Sequence, residues 1–345
     1  MISYTQLNDS KMKTKIIIII TLLSVMIFSC KKEKSSKQNI ELDWKVELNS
    51  NKLNGEIIYS IAIDSKGNKW VGTEKGLSKF DGIKWINFTN NNNVNDKPIK
   101  ALNIIADSKN NIWFSSSIMN KSTSGVKWAQ STNYLMKYDG NNFSSYYHEN
   151  NSIISIQIDS SDIKWCGTAC YGIEKYDDKT WTTLMNPYDV FYNYITAIAF
   201  DSERNCWIGT MGGGILKYDG TNWFKLKDKT NLGTYTVNSI VIDSKQNKWF
   251  ATNDGVLKFD NQNWFAYKDS NGLVNNDVNS LAIDSKDVLW FGTNGGVSRY
   301  DGINWTTYTQ NNGLPTNSVI SIAIDTQDNV WIGTNGKGLC QILKN

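Results

Sequence analysis

Residues 58–82 read IYSIAIDSKGNKWVGTEKGLSKFDG, and their most rigid feature is an Asp followed six residues later by a Trp, Asp64 and Trp70. Outward from this stretch the same spacing returns at Asp107/Trp113, Asp159/Trp165, Asp201/Trp207, Asp243/Trp249, Asp284/Trp290 and Asp325/Trp331. Successive Trp positions lie 43, 52, 42, 42, 41 and 41 residues apart, so one unit recurs seven times and the second copy carries an insertion. A period of this length marks a repeat architecture. Three residues before each Asp stands a large aliphatic side chain (Ile61, Ile104, Ile156, Ile198, Ile240, Leu281, Ile322), and four before it a small or polar one such as Ser60, Asn103 or Ala197. That alternation predicts a strand packed on both faces with different clearance on each. Gly-Thr follows the Trp in five copies, then a Gly-bearing turn and an apolar strand ending in Asp, as at Asp81-Gly82 and Asp301-Gly302. Asp-Gly between apolar runs is a hairpin signal. A second aromatic (Trp85, Phe143, Trp181, Trp223, Trp264, Trp305) then opens a fourth strand.

Four short antiparallel strands per unit, with no helical periodicity, predict an all-β, seven-bladed β-propeller of four-stranded blades over residues 41–345. The last copy runs out after its third strand, while Trp44 precedes Ile58 by 14 residues, as Trp264 precedes Val278 and Trp305 precedes Val319. The N-terminal strand is therefore expected to complete the last blade and close the ring. Glu47 falls where Phe88, Tyr267 and Tyr308 stand in other blades.

Residues 58–82, VNSLAIDSKDVLWFGTNGGVSRYDG (278–302) and VISIAIDTQDNVWIGTNGKGL (319–339) together resemble the two-component regulator propeller repeat. In that family the repeats form the periplasmic sensor of hybrid histidine kinases that respond to oligosaccharides, often as two propellers in tandem. The resemblance implies a recognition module whose partner is an oligosaccharide or an envelope protein. One propeller and no kinase segment leave recognition, rather than signalling by itself, as the expectation.

Lys+Arg 36 against Asp+Glu 33 gives a net charge of +3, too small a field to hold nucleic acid through its phosphates. The lone His148 cannot supply the paired His and Glu that work around a metal in the similar streptogramin lyases. The expected protein is a monomer with no cofactor, no metal and no catalytic group. Two rival readings are an enzyme of lyase or hydrolase type using carboxylates on the axial channel, and a purely structural subunit of an envelope complex. The seven Asp, often with an Asn four residues on, are read as bonding the backbone of tight turns. Cys166 stands where Val71, Ile208 and Ile332 stand elsewhere and is read as a buried hydrophobe.

Lys11, Lys13 and Lys15 precede an apolar run of 13 residues from Ile16 to Phe28, too short to span a bilayer. The run ends in Ile27-Phe28-Ser29-Cys30, which resembles a bacterial lipobox with Phe28 where a smaller residue is usual. Residues 1–29 are thus expected to be a signal peptide starting at Met12, Cys30 the lipidated residue, and 30–40 a charged, flexible tether. Lys31 after Cys30 favours the outer membrane.

Thirteen of the fourteen Trp fall on repeat positions and are expected in the core. The exception, Trp128, lies with Tyr134 in the insertion at residues 115–134. Strand order places this insertion on the rim that also carries NPYDVFYNY (Tyr188, Phe191, Tyr192, Tyr194), NLGTYT (Tyr235) and the turn with Tyr171. Those aromatics from neighbouring blades define a candidate platform for sugar rings. The competing reading is that the insertion simply folds onto the Tyr-rich loop.

Overall fold

The computed structural model describes residues 44–48, 52–88, 99–119, 131–146, 152–188, 194–226 and 235–344. They form seven four-stranded antiparallel sheets, and the protein is a seven-bladed β-propeller. After β1 (Trp44–Leu48), the first blade runs outward through β2 (Ile58–Ile63), β3 (Lys69–Thr73), β4 (Gly76–Phe80) and β5 (Trp85–Phe88). The second is β6 (Ile99–Ala106), β7 (Ile112–Met119), β8 (Ser131–Tyr138) and β9 (Phe143–Tyr146), and the third β10 (Ile153–Ile158), β11 (Lys164–Thr168), β12 (Ile173–Tyr176) and β13 (Trp181–Leu184). The fourth is β14 (Ile195–Phe200), β15 (Cys206–Thr210), β16 (Ile215–Tyr218) and β17 (Trp223–Lys225). β18 (Val237–Ile242), β19 (Lys248–Thr252), β20 (Gly255–Phe259) and β21 (Trp264–Tyr267) make the fifth, and β22 (Val278–Ile283), β23 (Leu289–Thr293), β24 (Gly296–Tyr300) and β25 (Trp305–Tyr308) the sixth. The last comprises β26 (Val319–Ile324), β27 (Val330–Thr334) and β28 (Leu339–Lys344), with β1 as its outer strand.

The closure expected from the Trp44 spacing is present. β1 pairs antiparallel with β28, Trp44 opposite Lys344 and Leu48 opposite Cys340. The innermost strands β2, β6, β10, β14, β18, β22 and β26 touch in that order, and β26 returns to β2. Two 3-10 turns, Asp269–Asn271 and Gln310–Asn312, lie after β21 and β25.

Packing between blades explains the sequence pattern. Apolar clusters lie in the seams, such as Trp70, Leu77, Ile104 and Phe114 between the first two blades and Ile58, Val71, Trp331 and Leu339 where the last meets the first. In four copies the Ser four before the Asp (Ser60, Ser155, Ser239, Ser321) reaches across a seam. Ser60 Oγ accepts from Ile104 N at 3.0 Å, and the Ser155 and Ser321 hydroxyls donate to the Ile195 and Ile58 carbonyls at 3.2 and 3.5 Å. The Gly of Gly-Thr is there for close approach. A Cβ at Gly72, Gly167, Gly209, Gly292 or Gly333 would stand 2.5–2.9 Å from an Ile or Val of the next blade's innermost strand. The Thr hydroxyl caps the following turn, donating to the Gly76, Gly172, Gly214, Gly255, Gly296 or Gly338 carbonyl at 2.6–3.0 Å.

The second-blade insertion is part strand. β7 and β8 pair from Ile112/Tyr138 to Met119/Ser131, so Ser115–Ser117 and Asn133–Leu135 continue the sheet instead of looping over the rim.

Candidate binding rim

Most of the chemistry-bearing residues are consumed by the scaffold. In six blades the Asp Oδ2 accepts the indole N–H of its Trp at 2.8–3.1 Å, while Oδ1 accepts backbone N–H groups of the turn. Where the Asn is present its amide adds a bond, as Asn68 Nδ2 to Asp64 Oδ2 at 2.7 Å. Burial alone would raise the Asp64, Asp201 and Asp325 pKa values. The bonds from Trp and Asn outweigh it and hold all three below the ordinary carboxylate value. In the first six blades a cation from the third strand lies over the repeat Trp: Lys79, Lys137, Lys175, Lys217, Lys258 and Arg299, at 4.2–5.8 Å. Lys69, Lys164 and Lys248 reach a Trp of the preceding blade, and Lys69 also pairs with Asp325 at 3.1 Å. The sequence reading missed these lysines, because register decides which side chain covers which ring.

On the rim formed by blade-to-blade loops and second-to-third-strand turns, the arrangement differs. The fourth-blade turn is held between its two neighbouring loops: Met211 N donates to Tyr194 O at 3.0 Å and Gly212 N to Tyr235 O at 3.3 Å. Tyr194 and Tyr235 are thus brought to the two sides of Met211. Tyr171 (42% exposed), Met185 (55%) and Met211 (50%) project from the rim over the third and fourth blades. The two Met carry no aromatic signal and were missed in the sequence. Their positions in loops are the only hint.

The other predicted residues are placed differently. Tyr188 packs on the cluster between the third and fourth blades, and its hydroxyl donates to the Trp223 carbonyl at 3.2 Å. Tyr235 packs on the cluster between the fourth and fifth blades and hydrogen-bonds Asp254, whose pKa is lowered mainly by the Lys268 ammonium at 2.7 Å. Tyr134, opposite Ser116 on β8, packs against the cluster of the first two blades. Trp128, His148, Phe191, Tyr192 and Cys30 lie outside the described residues. Cys166, Cys206 and Cys340 are buried and Cys170 exposed, all as free thiols. Among the described residues no three His, Cys, Asp or Glu side chains converge as a metal site would require.

The fold is a seven-bladed β-propeller, and part of its repeat matches a known propeller-repeat family. Two segments, 272–295 and 313–336, match the family "Two component regulator propeller", so the chain carries that family's repeat. The extracellular domain of a hybrid two component system from B. thetaiotaomicron is similar at 24% identity and TM-score 0.68 over 86% of this chain. That of a one component system from the same organism is similar at 18% identity and TM-score 0.66, also over 86%. This chain spans only 41% and 39% of those two structures. Virginiamycin B lyase from Staphylococcus aureus shares the fold at 14% identity and TM-score 0.67, over 87% of this chain and 99% of its own. No curated protein matches the sequence.

Proposed function

We propose that this protein is a non-catalytic recognition propeller of the bacterial envelope, held by lipid on Cys30 and presenting its third- and fourth-blade rim to an oligosaccharide or to an envelope protein. The observation that carries the reading is the exposure of Tyr171, Met185 and Met211 together on one rim, over two neighbouring blades. Aromatic faces pack on the apolar faces of sugars, and exposed Met adapts to irregular partners. The likeness of fold to extracellular sensor domains supports the same reading. Enzymatic action of the lyase type is the weaker alternative, since the lyase likeness is one of fold.

A glycan array followed by calorimetry on the strongest hit tests it. Tyr171→Ala with Met211→Ala should weaken binding by about 1–3 kcal/mol per contributing residue. The melting temperature should stay nearly unchanged, because both side chains project outward. Trp70→Ala should lose binding only by unfolding. Binding that survives the double substitution intact would move the site elsewhere, and turnover of a glycan would replace recognition by catalysis.

A further inference from the structure

On the opposite rim, the seam between the fourth and fifth blades opens into a cleft of about 440 Å³. Its origin is a break in the repeat. In four blades an outer-strand aromatic packs on the Asp-bonded Trp or its counterpart: Trp70/Phe88 at 5.9 Å, Trp113/Tyr146 at 5.4 Å, Trp249/Tyr267 at 5.6 Å and Trp290/Tyr308 at 5.8 Å. The third and fourth blades have Leu184 and Leu226 instead. Next to Leu184 the missing ring is offset by Phe200, which meets Trp165 at 5.1 Å. The counterpart of Phe200 in the following seam is Ile242, and there the cleft forms, with Trp207 and Leu226 in its wall. Phe224, 43% exposed, and Phe259 give it aromatic sides.

Two opposite charges face this cleft, and neither forms an ion pair among the described residues: Lys217 and Glu203. The Lys217 ammonium lies 5.8 Å from the Trp207 ring centre, against 4.2–5.3 Å for Lys79, Lys137, Lys175 and Lys258 on theirs. It is the most distant of these five lysines from its ring. Glu203 Oε2 accepts one bond, from Asn205 Nδ2 at 3.2 Å. Lys248 is by contrast already engaged, donating to Asn261 Oδ1 at 2.6 Å and lying 3.8 Å from Asp201 Oδ2. A singly charged ligand would gain from one of the two charges and be repelled by the other. A ligand bearing both charges beside a ring is complementary to the whole cleft, and the volume suits a single small molecule.

We infer that this cleft binds a free α-amino acid with an aromatic side chain, its ring between Phe224 and Phe259, its carboxylate on Lys217 and its ammonium on Glu203. The site is separate from the rim proposed above and stands or falls independently of it. Calorimetric titration of the protein with L-phenylalanine, L-tyrosine and L-tryptophan, alongside 3-phenylpropionate and phenethylamine, provides the test. At least one amino acid should bind saturably, and the matching analogue lacking either charge should bind about tenfold or more weakly. Leu226→Phe restores the ring found in four other blades and should abolish binding while the protein stays folded by circular dichroism. Lys217→Met, at a half-buried position, and Glu203→Gln, at an exposed one, should each weaken it about tenfold even if the Leu226 variant misfolds. No heat from any of the three amino acids at millimolar concentration overturns the inference, as does binding unchanged in the Lys217 and Glu203 variants. Equal binding of 3-phenylpropionate would overturn the zwitterion.

Discussion

Asp325 shows how much one residue of the repeat carries. Its carboxylate accepts from Gln327 N, Asn329 N, Asn329 Nδ2 and Trp331 Nε1 at 2.9–3.2 Å and pairs with Lys69 of the first blade at 3.1 Å. Asp325→Ala would leave a nearly buried ammonium and a buried indole N–H unpaired, and should cost about 3–5 kcal/mol in urea unfolding. Carboxylates of this kind also set the acid limit. The folded pKa values of Asp64, Asp201 and Asp325 lie below the ordinary value of about 3.9. Their stabilisation is therefore complete above about pH 4 and is lost as pH falls through the folded values. Melting temperatures should be nearly flat from neutral pH to about 4 and fall below it, more shallowly in a variant already lacking Asp325. The six-residue spacing was legible in the sequence because one hydrogen bond of fixed length joins its two ends. The lysines above the indoles were not, since they come from other strands or from the neighbouring blade.

At the scale of the element, the blade seam is narrow enough to reject a methyl group. A Cβ on Gly333 would meet Ile58 Cγ2 at 2.5 Å and clash with Ser321 Oγ, both in strands that close the ring. Gly333→Ala should lower stability by about 1–3 kcal/mol through overpacking. The reverse change at the fifth-blade counterpart, Ala251→Gly, adds no atom to its seam and should cost no more than about 1 kcal/mol. Deleting residues 41–56 removes β1, strips the outer strand from β28 and exposes an edge. A melting temperature within a few degrees of the parent after that deletion would show that the closure contributes little. Gly-Thr and the small residues before the Asp were legible as a pattern, but their reason was not, because it lies in contacts between units about 42 residues apart. That the ends of the insertion are strand was not legible, because they continue a sheet already present, and this sets Tyr134 on β8 against the cluster of the first two blades.

Direction is a property of the whole ring. Trp44 pairs with Lys344, and Ile342 with Val330, so the chain enters β1 on the rim of the Asp turns. Tyr171, Met185 and Met211 stand on the other rim. With the proposed lipid on Cys30, 13 intervening residues, at most about 45 Å of extended chain, lead to the start of β1 on the Asp-turn rim, and the expectation to be tested is that this rim lies on the bilayer side. The Tyr and Met sector would then face away from the membrane, as a recognition surface requires. The sequence located the sector by loop order, yet could not tell which of its rings are exposed, because that depends on the seam clusters into which Tyr188 and Tyr235 are drawn. Cys170, exposed on the turn beside Tyr171, is a built-in reporter. Burial raises the thiol pKa of Cys166 and Cys206 and pushes that of Cys340 up to about 12, so these three should stay unreactive while the protein is folded. Lipidated protein on vesicles, treated with a bulky polyethylene-glycol maleimide, should label at Cys170 as fast as in detergent. A second thiol at the exposed Lys66→Cys, on the Asp-turn rim, should be slowed several-fold by the vesicle surface. Protection of Cys170 instead would reverse the orientation and set the Tyr and Met sector against the bilayer.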